Sequence, residues 1–256
     1  MRLTRFLTLL FLITIALNAV CQEDKTDLDS KSTPYELLSS YYSDNFHPFK
    51  KGNFFTGLAF SVADKKMTNT DYLIQKVVDG ERLNFDVLVK GGYYTGDYGM
   101  VLIKVKYFQD KFDGSVFRDP DTLQSNSITR GFAVTPGFRS SVPLTPNERL
   151  SFFTEFGITF GNSYTLTRNT KNLDEIEKTY GTDFNFRVGL SPGITFFAME
   201  NFALEVQLNV IGYDLKVSEK SVNDGPESKE IRQNVDFNIN LLSLQMGLAY
   251  YFGAKK

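Results

Sequence analysis

Leu150-Ser151-Phe152-Phe153-Thr154-Glu155-Phe156-Gly157-Ile158-Thr159-Phe160 puts Leu150, Phe152, Thr154, Phe156, Ile158 and Phe160 on one side of an extended chain and Ser151, Phe153, Glu155, Gly157 and Thr159 on the other. Successive side chains of a strand point to opposite faces, so an apolar set at every second position marks a strand with one face in an apolar medium. The texture recurs at 184–196, where Phe184, Phe186, Val188, Leu190, Pro192, Ile194 and Phe196 oppose Asn185, Arg187, Gly189, Ser191, Gly193 and Thr195. It recurs again at 202–210, with Phe202, Leu204, Val206, Leu208 and Val210 against Ala203, Glu205, Gln207 and Asn209. Weaker runs complete a set of eight predicted strands at 53–63, 83–94, 98–108, 128–139, 148–160, 183–197, 201–217 and 233–252.

The intervals between these runs alternate long and short. About 19 residues are followed by Thr95-Gly96-Asp97, then about 19, then 140–147, then about 22, then 198–200, then about 15. Membrane barrels have short turns on the periplasmic side and long loops outside. The rhythm therefore predicts an all-β fold, a closed antiparallel up-and-down transmembrane β-barrel of eight strands over residues 53–252. Asp79-Gly80 reads as a hairpin turn that pairs Tyr72–Val78 with Leu83 onward as an extension above the membrane; read as an extra full strand, it gives nine, or ten with the leader. Pro136 and Pro192 lack the N–H a ladder needs, and they are expected at bulges near the periplasmic rim. The segments around Val134-Thr135-Pro136-Gly137-Phe138 and Leu190-Ser191-Pro192-Gly193-Ile194 echo one another, so two hairpins are expected to be built alike.

The chain opens Met1-Arg2-Leu3-Thr4-Arg5, and Phe6–Leu17 is almost unbroken apolar sequence. A basic start and about a dozen apolar residues, too few to span a bilayer as a helix, read as a signal peptide over 1–21. Ala19-Val20-Cys21 supplies small residues for cleavage, and lipidation of Cys21 is the alternative. Polar residues 22–52 read as a flexible periplasmic leader and 253–256 as a short tail. Cys21 is the only cysteine, which excludes an internal disulfide and thiolate metal clusters. A net charge of −2 gives no basic footprint for nucleic acid. Beyond the signal no stretch is apolar for even 15 residues, so any crossing of a membrane must use strands.

The last predicted strand ends Gln245-Met246-Gly247-Leu248-Ala249-Tyr250-Tyr251-Phe252. Gln245, Gly247, Tyr250 and Phe252 resemble the C-terminal assembly signal of bacterial outer-membrane barrels, although Gly253-Ala254-Lys255-Lys256 follow the final aromatic. With the signal peptide, the proline-glycine hairpins and the Gln22 start, residues 53–252 resemble the small outer-membrane β-barrel proteins of Bacteroidetes, with OmpX and the OmpA membrane domain as architectural relatives. The resemblance implies outer-membrane lipid as surroundings and the barrel-assembly machinery as a partner in biogenesis.

The polar face of the predicted strands carries Asp86, Lys90, Lys104, Lys106, Arg139, Glu155, Arg187 and Glu205. Eight strands leave an interior that side chains fill, so these charges are expected to pair inside the lumen; an ion path is the competing reading. His47, the only histidine, precedes the first strand in Phe46-His47-Pro48-Phe49, on the periplasmic side and away from any substrate at an outer rim. Asp110, Asp113, Asp119 and Asp121 have the oxygens a calcium ion needs but no loop spacing that holds one. Tyr93, Tyr94, Tyr98, Tyr107, Tyr250, Tyr251 and Phe252 fall near strand ends, where tyrosine suits a membrane interface. No phosphate loop, metal-ligand spacing or nucleophile with a base is present. The expected function is non-enzymatic, without cofactor or metal: a barrel presenting four polar loops for envelope structure, adhesion or surface contact. A narrow solute channel and a soluble, lipocalin-like ligand barrel are the alternatives.

Overall fold

The computed structural model describes residues 46–71, 76–119, 121–172, 175–223, 225–237 and 245–254. The predicted signal peptide and leader residues 22–45 lie outside them. Ten strands are present: β1 (Phe54–Asp71), β2 (Lys76–Gly96), β3 (Gly99–Arg118), β4 (Asp121–Pro143), β5 (Leu150–Asn172), β6 (Glu175–Phe197), β7 (Phe202–Gln207), β8 (Ile211–Val222), β9 (Ser228–Phe237) and β10 (Gln245–Phe252). All pairings are antiparallel between neighbours, and β5–β6, β6–β7, β7–β10 and β10–β1 close a ring of eight. β8 and β9 continue the seventh and eighth staves outward: β8 pairs with β6 as β7 does, and β9 pairs with β8.

The strands run far past the predicted ends. β5 and β6 have 23 residues each, whereas about 9–11 suffice to cross a bilayer. The intervals expected to be loops are the outer halves of long hairpins, paired up to Asp71↔Lys76, Arg118↔Asp121 and Asn172↔Glu175. The physical reason is that ladder hydrogen bonds do not require apolar side chains. Loss of the apolar alternation marks where lipid ends, and pairing carries on in water through Thr, Ser and Asn residues. Asp79 and Gly80 accordingly sit inside β2, opposite Thr68 and Met67, and not in a turn.

Neither proline is at a bulge of its own strand. The β4–β5 register is the same on both sides of Pro136, where the ladder lapses between Val134↔Phe160 and Gly137↔Gly157. At Pro192 the irregularity is in the neighbour: Leu208–Val210 separate β7 from β8, with the Leu208 N–H donating to the Pro192 carbonyl at 2.9 Å. That interruption adds one residue, so odd positions face inward along β7 and even positions along β8.

Outside, the wall is apolar. Phe54, Tyr93, Phe152, Phe196, Tyr250 and Phe252 are exposed at the end with the short turns, and Phe60, Tyr107, Phe132, Phe160 and Phe184 form a second aromatic level, with Leu58, Val89, Ile103, Phe156, Leu190 and Ile194 between them. From Phe152 to Phe160 is about 26 Å of strand at ~3.3 Å per residue, about 20 Å of height at the ~40° tilt of barrel strands, and with the rings of the two girdles this fits an apolar band ~25 Å tall. Tyr94 and Tyr251 depart from the expected interface set: both are fully buried and point inward.

Candidate functional site

The lumen is built in levels, starting at the end with the short turns. Residues 46–52, expected to be the end of a flexible leader, fold across that mouth. The His47 N–H donates to the Ala254 carbonyl (2.7 Å), Gly52 N–H to Tyr94 (2.9 Å), and Tyr98 N–H to Phe49 (2.7 Å). Asn53 Nδ2 donates to the His47 and Pro48 carbonyls at 3.0 and 3.1 Å. Phe49 lies against Tyr94, Tyr98, Phe197 and Tyr251, with ring centroids 5.8–6.3 Å apart. Phe46, Phe55, Met100 and Leu102 complete this apolar stopper. Tyr98 and Glu148 adopt left-handed φ angles of 64° and 53°, a conformation that is uncommon away from glycine. They are tied together, because Glu148 Oε1 accepts from Tyr98 Oη at 3.1 Å and lies 3.4 Å from His47 Nδ1.

Directly above is a layer of charge. Arg139 is completely buried. Its Nη2 donates to Glu205 Oε1 (2.8 Å) and Thr195 Oγ1 (2.7 Å), and its guanidinium lies 3.6 Å from the centroid of Phe153, a cation–π contact. Tyr251 Oη donates to the same Glu205 oxygen at 2.9 Å. Glu155 accepts from Lys104 Nζ (2.9 Å) and Gln207 Nε2 (2.6 Å). Lys90 reaches across from β2, 3.6 Å from both carboxylates, and donates to Gln207 Oε1 at 2.8 Å. Taking five charges out of water is costly unless each finds opposite charge and hydrogen bonds; here the opposite charges come from β2, β3, β4, β5 and β7, while Arg139 Nε and Nη1 and Glu155 Oε1 make no hydrogen bond. Gly193 makes room for this layer, since a Cβ there would lie 2.3 Å from the Phe153 ring and 2.6 Å from the Val206 carbonyl. Gly193→Val is expected to lower the urea midpoint of the folded barrel more than Gly91→Val, because a Cβ at Gly91 meets nothing within 4 Å.

The remaining predicted charges lie farther out. Lys106 Nζ is 3.5 Å from Asp86, and Arg187 Nη1 donates to Asp214 at 2.5 Å. The eight residues read from the sequence therefore fall into three groups, five in the buried layer, one pair of Lys106 with Asp86, and Arg187 with a partner that was not predicted. Asp214 escapes simple alternation because the Leu208–Val210 interruption reverses which positions face inward. Gln207 and Thr195 were on the inward face but carry no charge to draw attention. Toward the outer mouth, hydroxyl pairs bridge β4 and β5: Thr135–Thr159 (2.8 Å), Thr129–Thr165 (2.8 Å) and Ser127–Thr167 (3.0 Å). Arg82 binds Asp110 with two nitrogens, and Lys216 binds Asp183 at 2.9 Å. Of the other acidic residues weighed for calcium, Asp113 accepts from Asn126 (2.9 Å) and Asp121 pairs with Lys171 (2.5 Å). Among the described residues no group of three or more His, Cys, Asp or Glu is placed to hold a metal ion.

The predicted assembly-signal residues lie on β10. Gln245 and Gly247 share its inward parity, while Tyr250 and Phe252 face out beside β7 and β1, paired with Phe202 and Phe54.

A closed eight-stave ring with an apolar outer wall and a charged interior is a transmembrane β-barrel of outer-membrane type. It is the inverse of a soluble ligand-binding barrel, whose inside is the apolar side, and the lipocalin-like alternative is set aside on that ground. No protein-family model matches the chain, and no curated protein matches it. Among solved structures it is similar to the outer membrane protein OprG from Pseudomonas aeruginosa, at 12% identity over 81% of this chain and 99% of that one, with a TM-score of 0.46. It is similar also to the translocator domain of the autotransporter NalP from Neisseria meningitidis (13% identity, 86% of this chain, 66% of that one, TM-score 0.45). A third is Ail, the attachment invasion locus protein of Yersinia pestis (13% identity, 79% and 99%, TM-score 0.34).

Proposed function

We propose that the chain is a non-enzymatic outer-membrane barrel that is sealed to solutes and works through the long hairpins it holds outside the cell. The observation that carries this reading is the double closure of the lumen. Buried aromatics fill the periplasmic mouth, and the Arg139–Glu155–Glu205 layer with Lys90 and Lys104 stands above them. A conducting path would have to expel Phe49 and separate paired buried charges, so the lumen charges act as structure and the channel alternative is disfavoured. What the sealed barrel offers is its outer part: four paired hairpins rising beyond the apolar band, stiffer than loops, suited to adhesion, envelope structure or contact with other molecules. Export through a signal peptide at 1–21 and delivery by the assembly machinery through Gln245, Gly247, Tyr250 and Phe252 belong to the same proposal. So does the finer likeness to the Bacteroidetes barrels, which rests on the signal peptide, the proline-glycine hairpins and that C-terminal pattern.

Two measurements test it. In the outer-membrane fraction of expressing cells the unboiled band is expected to shift in mobility on boiling. Purified protein in planar bilayers is expected to give no steady conductance steps, and reproducible ohmic steps would refute the sealed lumen.

A further inference from the structure

Between the charge layer and the outer mouth lies a cavity of about 180 Å³, well above the ~10–15 Å³ that a single water needs. Its ionisable lining is Lys104, Lys106 and Arg187; no carboxylate lines it. The acids that pair with these cations, Glu155, Asp86 and Asp214, are outside the lining. Thr135, Thr159, Ser191 and Asn209 also line the cavity, with Thr135 and Thr159 hydrogen-bonded to each other and Ser191 donating to Asn209 Oδ1.

Arg187 is the informative residue. Nη1 is engaged by Asp214, whereas Nε and Nη2 have no protein acceptor among the described residues. Two glycines fix where the guanidinium lies. A Cβ at Gly212 would be 2.5 Å from Nη2, and one at Gly189 would be 3.3 Å from Nε. The backbone has been kept bare on β6 and β8 at the places where this guanidinium rests. A guanidinium edge with two parallel donors matches two oxygens of one anion. Lys106, whose nearest carboxylate oxygen is 3.5 Å away, and Lys104 add charge to the same space. Water reaches the site, since the Arg187 and Lys106 side chains keep 31% and 34% of their surface open.

We propose that this chamber binds a small oxyanion of the phosphate class, held by the free edge of Arg187 with Lys106 and Lys104. The ligand enters and leaves by the outer mouth, so the chamber is a receptor pocket and not a stage in transport; that last clause rests on the sealed lumen proposed above.

The test is titration calorimetry of the full folded barrel in detergent with inorganic phosphate, at an ionic strength held constant with sodium chloride. One site is expected, weakened about tenfold or more in Arg187→Gln, as loss of a charge-assisted pair implies, and weakened also in Lys106→Gln. Gly212→Ala, which displaces the guanidinium without removing it, is expected to lower affinity too. Each variant is first checked for the heat-dependent mobility shift, and if Arg187→Gln does not fold, Lys106→Gln and Gly212→Ala decide. Absence of phosphate heat, equal displacement by chloride or nitrate, or folded variants that bind as the parent does would overturn the proposal. Conductance is read separately: a sealed barrel without phosphate binding removes the chamber alone, and a conducting barrel that binds phosphate removes the sealed lumen alone.

Discussion

Glu205→Leu should cost the folded barrel about 3–5 kcal/mol, the range for breaking a buried ion pair from one side. The size follows from what is left behind. Arg139 is completely buried and would keep only Glu155, at 3.7 Å, as a carboxylate partner. The Tyr251 hydroxyl would lose its acceptor, and Thr195 would lose one of two partners. Lys90, Lys104 and Arg139 would then share a single carboxylate. The control is the double variant Arg139→Met/Glu205→Leu, which removes charge from both sides and leaves apolar volume against Phe153 and Phe55. Such replacements are often neutral or stabilising, so the double variant should be far more stable than the sum of the two single losses. Urea midpoints read from the mobility difference between folded and unfolded bands supply all four corners of the cycle. Additive losses, or a Glu205→Leu barrel with the parent's midpoint, would show that these charges do not act as a unit.

How much of this was legible in the sequence depends on what each feature rests on. The faces of β5, β6 and β7 could be read directly, because lipid on one side and a filled lumen on the other force a strict period of two. Phe152 and Phe156 are exposed while Ser151, Phe153 and Glu155 are buried. Strand ends could not be read the same way, since the apolar signal reports lipid and the pairing does not need it. Interruptions were invisible and had consequences downstream: three residues at 208–210 reverse the inward parity of β8 and bring Asp214 to Arg187. In β2 a bulge between Val77 and Asp79 does the same and turns Val77 inward, against Met67 and Val116. The segment at 46–52 was illegible for another reason. It is short and aperiodic, and nothing local says that Phe46 and Phe49 have Tyr94, Phe197 and Tyr251 to meet; its only hint was two aromatics in four residues of polar sequence.

That segment carries the second large effect. Phe49→Ala is expected to lower stability by about 3–5 kcal/mol, the usual cost of removing a buried aromatic ring, because Phe49 is 1% exposed and touches four other rings. Phe54→Ala is the matched comparison. Its ring is 57% exposed on the outer wall, where lipid can occupy the space left by the side chain, so its loss should be clearly smaller. The contrast separates a packed stopper from a leader that merely lies nearby, and equal midpoints for the two variants would mean that 46–52 does not pack. Conductance should nonetheless stay at zero in Phe49→Ala. The two closures are in series, and the layer of Arg139, Glu155 and Glu205 remains after the ring is gone. Only Phe49→Ala combined with Arg139→Ala/Glu205→Ala, which removes bulk from the stopper and both bulk and charge from the layer above it, is expected to open a path. A current through Phe49→Ala alone would instead place the whole seal at the periplasmic mouth and leave the charge layer with a stabilising part only.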